Sequence, residues 1–139
     1  MRTIKFRGKK HQGLLPNGEV LRGGFVYGSL VVMPNGDCHI LGHNGTDAFN
    51  NYKVLPDTIG QLTTYRDRRG KEIYEGDVLE CLYNTTLFPI RERVSVAWRN
   101  DEFEIQSETQ SLTLRIADVN LADFVVVGTI HDDNERKQD

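Results

Sequence analysis

The amino-acid sequence predicts a mainly β protein with little helix, and three features of its pattern lead there. Apolar and polar residues alternate over short runs, as a strand with one buried face requires. Asn-Gly pairs in tight-turn contexts punctuate those runs. The spacing of an amphipathic helix is nearly absent. With 139 residues, 38% hydrophobic and 27% charged, the composition is globular and fits one ordinary domain or two very small ones.

Residues 1–66 read as an N-terminal β-hairpin region. "TIKFRG" alternates Ile4 and Phe6 with Lys5 and Arg7, and "GGFVYGSLVVM" is a run rich in aromatic and β-branched residues, so both are expected to be strands. "LLPNGEV" at 14–20 and "VMPNGDC" at 32–38 share Pro-Asn-Gly-acid. Proline fixes the entry of such a turn, and Asn and Gly accept the positive φ within it, which predicts two paired hairpins. "HNGTDAFNNY" at 43–52 has no apolar period and is expected to be an irregular loop. In "VLPDTIGQLTTY" Pro56 and Asp57 could open a helical turn, but Gly60 and the β-branched residues favour an extended stretch.

Residues 67–131 give a cleaner signal. "DVLECLY" places Leu79, Cys81 and Tyr83 on one face, and "RVSVAW" does the same for Val94, Val96 and Trp98. Asn100-Asp101 makes a two-residue turn into "EFEIQ", and "SLTLRI" repeats the alternation. In "ADVNLADF" Asp118 is expected to cap a single helical or 3₁₀ turn before the closing strand "VVVGTI". Five short strands with one helical turn before the last is the order of an SH3-like barrel, whose closure removes exposed strand edges. The stretch "DRRGKEIYEGDVLEC" at 67–81 then starts that barrel, with Arg69-Gly70-Lys71 as a tight turn and its charges in water. Residues 132–139 carry no apolar side chain and are expected to be a disordered tail.

"VLPDTIGQLTTYRDRRGKEIYEGDVLE" at 54–80 resembles the central motif of the YopX family of phage and prophage proteins. Gly60-Gln61, Thr63, Asp67 and Gly70 through Val78 stand where that motif has them, and "RTIKFRG" and "VVVGTIHDDNE" agree at the two ends. Thr64-Tyr65 replace a usual Gly-Leu pair, Arg69 replaces a common asparagine, and a proline often found after the last strand is absent. The resemblance implies a β-rich fold with a C-terminal SH3-like barrel, an origin in a phage or prophage, and action in the bacterial host cytoplasm. It implies no established activity and carries no catalytic residue onto this chain.

The residues themselves offer little for catalysis. No phosphate-binding loop or nucleophile elbow is present. Glu72, Glu75 and Asp77 are the densest carboxylates, but charges beside a turn usually form a solvated rim. In "CHILGHN" an extended backbone sets His39 and His43 about 13 Å apart, with Cys38 on the opposite face, so one metal cannot take all three. Cys38 and Cys81 lie in apolar-patterned stretches and read as reduced core residues. No metal and no cofactor is expected. The first twenty residues lack the apolar core of a signal peptide and no stretch is long enough to span a bilayer, which points to a cytoplasmic protein and makes the sequons at Asn44 and Asn84 chance matches.

Net charge is -3, unevenly spread: residues 1–76 hold 11 Lys and Arg against 7 Asp and Glu, and residues 77–139 hold 6 against 13. Basic residues interleaved with aromatics can hold phosphates and stack a nucleobase. Two segments have that composition, Arg2, Lys5, Arg7, Lys9 and Lys10 around Phe6, and Arg66, Arg68, Arg69 and Lys71 beside Tyr65. The resulting expectation is a non-enzymatic accessory module that binds a protein or a nucleic acid. The alternative is a homo-oligomeric assembly protein joined through its N-terminal hairpins, and an enzyme using the carboxylates ranks last.

Overall fold

A computed structural model describes residues 4–44 and 47–132. The chain divides into two compact units between Leu62 and Thr63. It is mainly β, and its helical content is short 3₁₀ turns. No helix among the described residues is long and apolar enough to cross a membrane.

The first unit is built from β1 (Phe6–Leu14), β2 (Val20–Val32), β3 (Cys38–Asn44), β4 (Asp47–Val54) and the start of β5 (Gly60–Arg66). The repeated Pro-Asn-Gly turns join β1 to β2 and β2 to β3, as the sequence predicts. Both are closed the same way, by Gly18 N–H on Leu15 O and Gly36 N–H on Met33 O, each 2.9 Å. Only the glycines adopt positive φ, +88° and +94°. The asparagines act through their side chains instead, Asn17 Oδ1 accepting from Glu19 N–H and Asn35 Oδ1 from Asp37 N–H.

Pairing does not stop at hairpins. β1 pairs with β2, β2 with β3, β3 with β4, and β4 returns to β1 at Lys10 and Val54, so four strands form a small closed ring. Residues 47–54 are therefore strand rather than irregular loop. Backbone pairing with β3 on one side and β1 on the other holds them there despite the polar sequence. Gly28 lies where β2 passes from β1 to β3, and a Cβ on it would stand 2.0 Å from Leu41 O. Cys38, Ile40 and Val54 form the buried centre, with Phe6, Val26, Leu30, Tyr52 and Ile59 packed around them. Pro56–Thr58 is the helical turn that Pro56 and Asp57 could open, so residues 54–65 are not extended throughout. Thr58 Oγ1 accepts from Lys9 N–H at 2.8 Å and donates to Leu55 O at 2.7 Å.

In the second unit the end of β5 pairs with β6 (Glu72–Tyr74). The strands β7 (Asp77–Cys81), β8 (Arg93–Arg99), β9 (Glu102–Ser107) and β10 (Thr113–Arg115) follow one another in the sheet, and β11 (Phe124–Thr129) returns beside β7. That is the expected SH3-like order. Its centre is Ile73, Leu79, Cys81, Phe88, Val94, Val96, Phe103, Ile105, Ile116, Leu121 and Phe124. The hairpin at Asn100-Asp101 holds both residues at positive φ, +52° and +63°, matching the twist of its flanking strands.

Three expectations fail at element ends. Asp118 is not the cap before the last strand. It binds Arg115 at 2.9 Å, and Asn120 Oδ1 takes Ala122 N–H at the turn Leu121–Asp123. Trp98 and Tyr83 are exposed, because Trp98 lies past the last buried pair of β8 and β7 ends at Cys81. Asp132, placed in the tail by the sequence, takes hydrogen bonds from Thr129 N–H and Oγ1. The remaining tail, 133–139, lies outside the described residues.

Candidate functional site

The two basic segments fall in different units and have different surroundings. Arg2 lies outside the described residues. Lys5 and Lys10 are half-buried, Lys10 with its Nζ 5.5 Å from the Tyr52 ring. Arg7 and Lys9 are buried, 4% and 9% exposed, on the strand face that carries Phe25. The guanidinium of Arg7 stands 4.3 Å from the Phe25 ring centre and Lys9 Nζ 5.5 Å from it. An aromatic face compensates part of the desolvation of a buried cation. These two cations are not on an open phosphate-binding surface.

The second segment is different. Arg66, Arg68, Arg69 and Lys71 are all exposed, and Asp67 at their centre is buried. Asp67 Oδ1 accepts from Arg69 N–H at 2.8 Å and Lys71 N–H at 2.9 Å, while Oδ2 accepts from Val126 N–H at 2.9 Å. Its backbone closes the turn as well, with Asp67 N–H on Lys71 O and Gly70 N–H on Asp67 O. Gly70 supplies the positive φ of +80° that the reversal needs. One buried carboxylate thus folds the turn, ties it to β11 and leaves four cations on its rim. The prediction that every charge in this stretch faces water fails at Asp67 and again at Asp77, which is 1% exposed and accepts from Tyr74 N–H.

Two of the four cations are oriented. Arg66 Nη1 donates to Gly70 O at 2.7 Å and Nη2 stands 3.7 Å from Glu72. Arg68 N–H donates to Phe124 O and its Nη1 to Ala122 O at 3.1 Å, which holds the guanidinium 5.4 Å from the Tyr83 ring centre. The backbone around Tyr83 is fixed by Leu82 N–H on Asp123 O, 2.8 Å, and by Cys81 Sγ on Tyr83 O, 3.1 Å. Tyr83 is the residue that alternation misplaces, since continuing β7 by two residues would put it inside. Asn84, directly after it, is the only hint of the strand's end in the sequence.

A cleft of about 170 Å³ lies between the loop Thr85–Phe88 and the segment 118–124, with Thr86, Asn120 and Asp123 among its polar lining residues. Glu72, Glu75 and Asp77 do not line it. Among the described residues no group of three or more His, Cys, Asp and Glu is placed to hold a metal, and His39 Nδ1 is 2.8 Å from Asn51 Oδ1. Glu92 is buried just before β8, where Ser107 and Thr109 hydroxyls and the Thr109 N–H hold its carboxyl below the usual range. It ties β8 to the end of β9 and is a structural acid.

A family model described as YopX protein matches residues 34–136. No curated protein matches the chain. Among solved structures, protein EF1440 from Enterococcus faecalis is similar over 100% of both chains, with a TM-score of 0.52 and 18% identity, a likeness of fold alone.

Proposed function

The chain belongs to the YopX family, and on that premise we propose that it is a non-enzymatic accessory module, encoded by a phage or prophage, that binds nucleic acid in the bacterial cytoplasm. The family resemblance supports the setting. The observation that carries the activity is the turn at Asp67: its fold is fixed from inside by a buried carboxylate, and Arg66, Arg68, Arg69 and Lys71 stand outward together. Cations held on a preformed turn gain affinity by releasing counterions from phosphates, at little ordering cost. The overall charge of -3 does not oppose this, because contact is local and salt screens the rest beyond about 10 Å. Fluorescence anisotropy with labelled DNA and RNA tests it. Binding that weakens with salt, and is lost in Arg69→Glu/Lys71→Glu, is expected, and no salt-dependent binding by the unaltered chain refutes it.

A second reading, self-assembly, is favoured by the first hairpin. Leu14 pairs with Val20 at its tip and is 68% exposed, with Leu15 and Leu21 also exposed nearby. Exposed apolar residues in a group are commonly covered by a partner. Light scattering after size exclusion at tens of micromolar shows an oligomer that Leu14→Glu dissociates if this reading holds, and a monomer if it does not.

A further inference from the structure

We propose that the nucleic acid is single-stranded, with its phosphates on the Asp67 turn and one unpaired base stacked on Tyr83, two residues before the cleft-lining loop Thr85–Phe88. This rests on the nucleic-acid reading above and adds to it the strand state and the base-contacting residue. Tyr83 is 46% exposed, yet its backbone is pinned on both sides and its ring is held beside Arg68. A fixed, half-exposed aromatic ring backed by a guanidinium is a stacking platform that any base can use and that a paired base cannot reach.

Charge sorts the two parts of a nucleotide across this surface. Arg69 and Lys71 lie on the turn. The cleft carries acidic Asp123, whose neighbour Ala122 offers the carbonyl that Arg68 binds. Phosphate is drawn to the turn and repelled by the cleft, whereas a carboxylate there can accept from the amino group of a base. A strand lying across Arg68 is therefore oriented with its backbone over residues 66–71 and a base towards Asp123. Duplex DNA can meet only the first half of that arrangement.

The test is anisotropy with labelled 15-residue oligo-dC and oligo-rC against a duplex of the same length, using the full chain and the variants Tyr83→Leu and Tyr83→Phe. The single strand, as DNA, RNA or both, is expected to bind at least about tenfold tighter than the duplex, and Tyr83→Leu is expected to weaken it by about 5- to 100-fold with an unchanged salt slope. Tyr83→Phe keeps the ring and should bind like the unaltered chain, which separates stacking from any effect on folding. Equal affinity for duplex and single strand, or a Tyr83→Leu chain that binds normally, overturns the inference while leaving a salt-dependent module in place. Absence of binding to every oligonucleotide removes the module reading itself.

Discussion

Replacing Asp67 by alanine removes an acceptor that serves three backbone N–H groups, those of Arg69, Lys71 and Val126, at 2.8 to 2.9 Å. A hydrogen bond to an ionised acceptor contributes about 1.5–3 kcal/mol, and a buried donor left alone costs a similar amount. The Arg69 and Lys71 amides belong to exposed residues, where water can replace the carboxylate, so about 1 kcal/mol is assigned to each. Val126 is half-buried in β11 and is assigned about 2 kcal/mol. Asp67→Ala should then destabilise the second unit by about 4 kcal/mol, and Asp67→Asn, which keeps one carbonyl oxygen, by about half of that. Trp98, the single tryptophan, lies in that unit and reports its urea unfolding. With a slope of about 2 kcal/mol per molar, the midpoint should fall by about 2 M for alanine and about 1 M for asparagine. An alanine variant that loses less than about 1 kcal/mol would show that the carboxylate does not hold the turn, and the reasoning about a prefolded basic rim would fail with it.

Other perturbations read other parts of the structure. Gly28→Ala would put a Cβ 2.0 Å from Leu41 O, so a loss above about 3 kcal/mol or failure to fold is expected, whereas Gly24→Ala, with open space around it, should fall within about 0.5 kcal/mol in thermal unfolding. Glu92 has a folded-state pKa below the unfolded value near 4.5, so its contribution is complete above that value and is lost as pH falls through the lower, folded one. Melting followed from about pH 6 to about pH 3 should show the advantage of the unaltered chain over Glu92→Gln shrinking with acidity, and a constant gap contradicts the assignment. Gly18→Ala and Gly36→Ala, at φ of +88° and +94°, should each cost about 1 kcal/mol in chemical denaturation, and neutral substitutions would mean the turns can rearrange.

Much of the architecture was legible in the sequence because strands and turns are local events. The repeated Pro-Asn-Gly reports its own hairpin, and Val94-Val96 against Phe103-Ile105 reports a buried face from alternation alone. What escaped depends on contacts distant along the chain. The return of β4 to β1 at Lys10 and Val54 turns hairpins into a closed ring, and nothing local in "DAFNNYKV" announces it. The burial of Arg7 and Lys9 follows the same rule, since Phe25 reaches them from another strand. The candidate site was half legible: the bases of "YRDRRGK" are visible as composition, but the acid between them is expected in water until its bond from Val126 shows it to be the internal anchor. Tyr83 was hidden by an alternation that runs two residues past the strand it describes.

The central claim, that the Asp67 turn is the contact surface, is tested most directly by nitrogen-15 amide spectra of the full chain titrated with a single-stranded oligonucleotide. The account predicts shifts confined to residues 66–72, to Leu82 and Tyr83, and to the cleft segment 118–124, fading as salt is raised. Shifts centred on the hairpin tip at Leu14 and Val20, or none at any salt concentration, would contradict it.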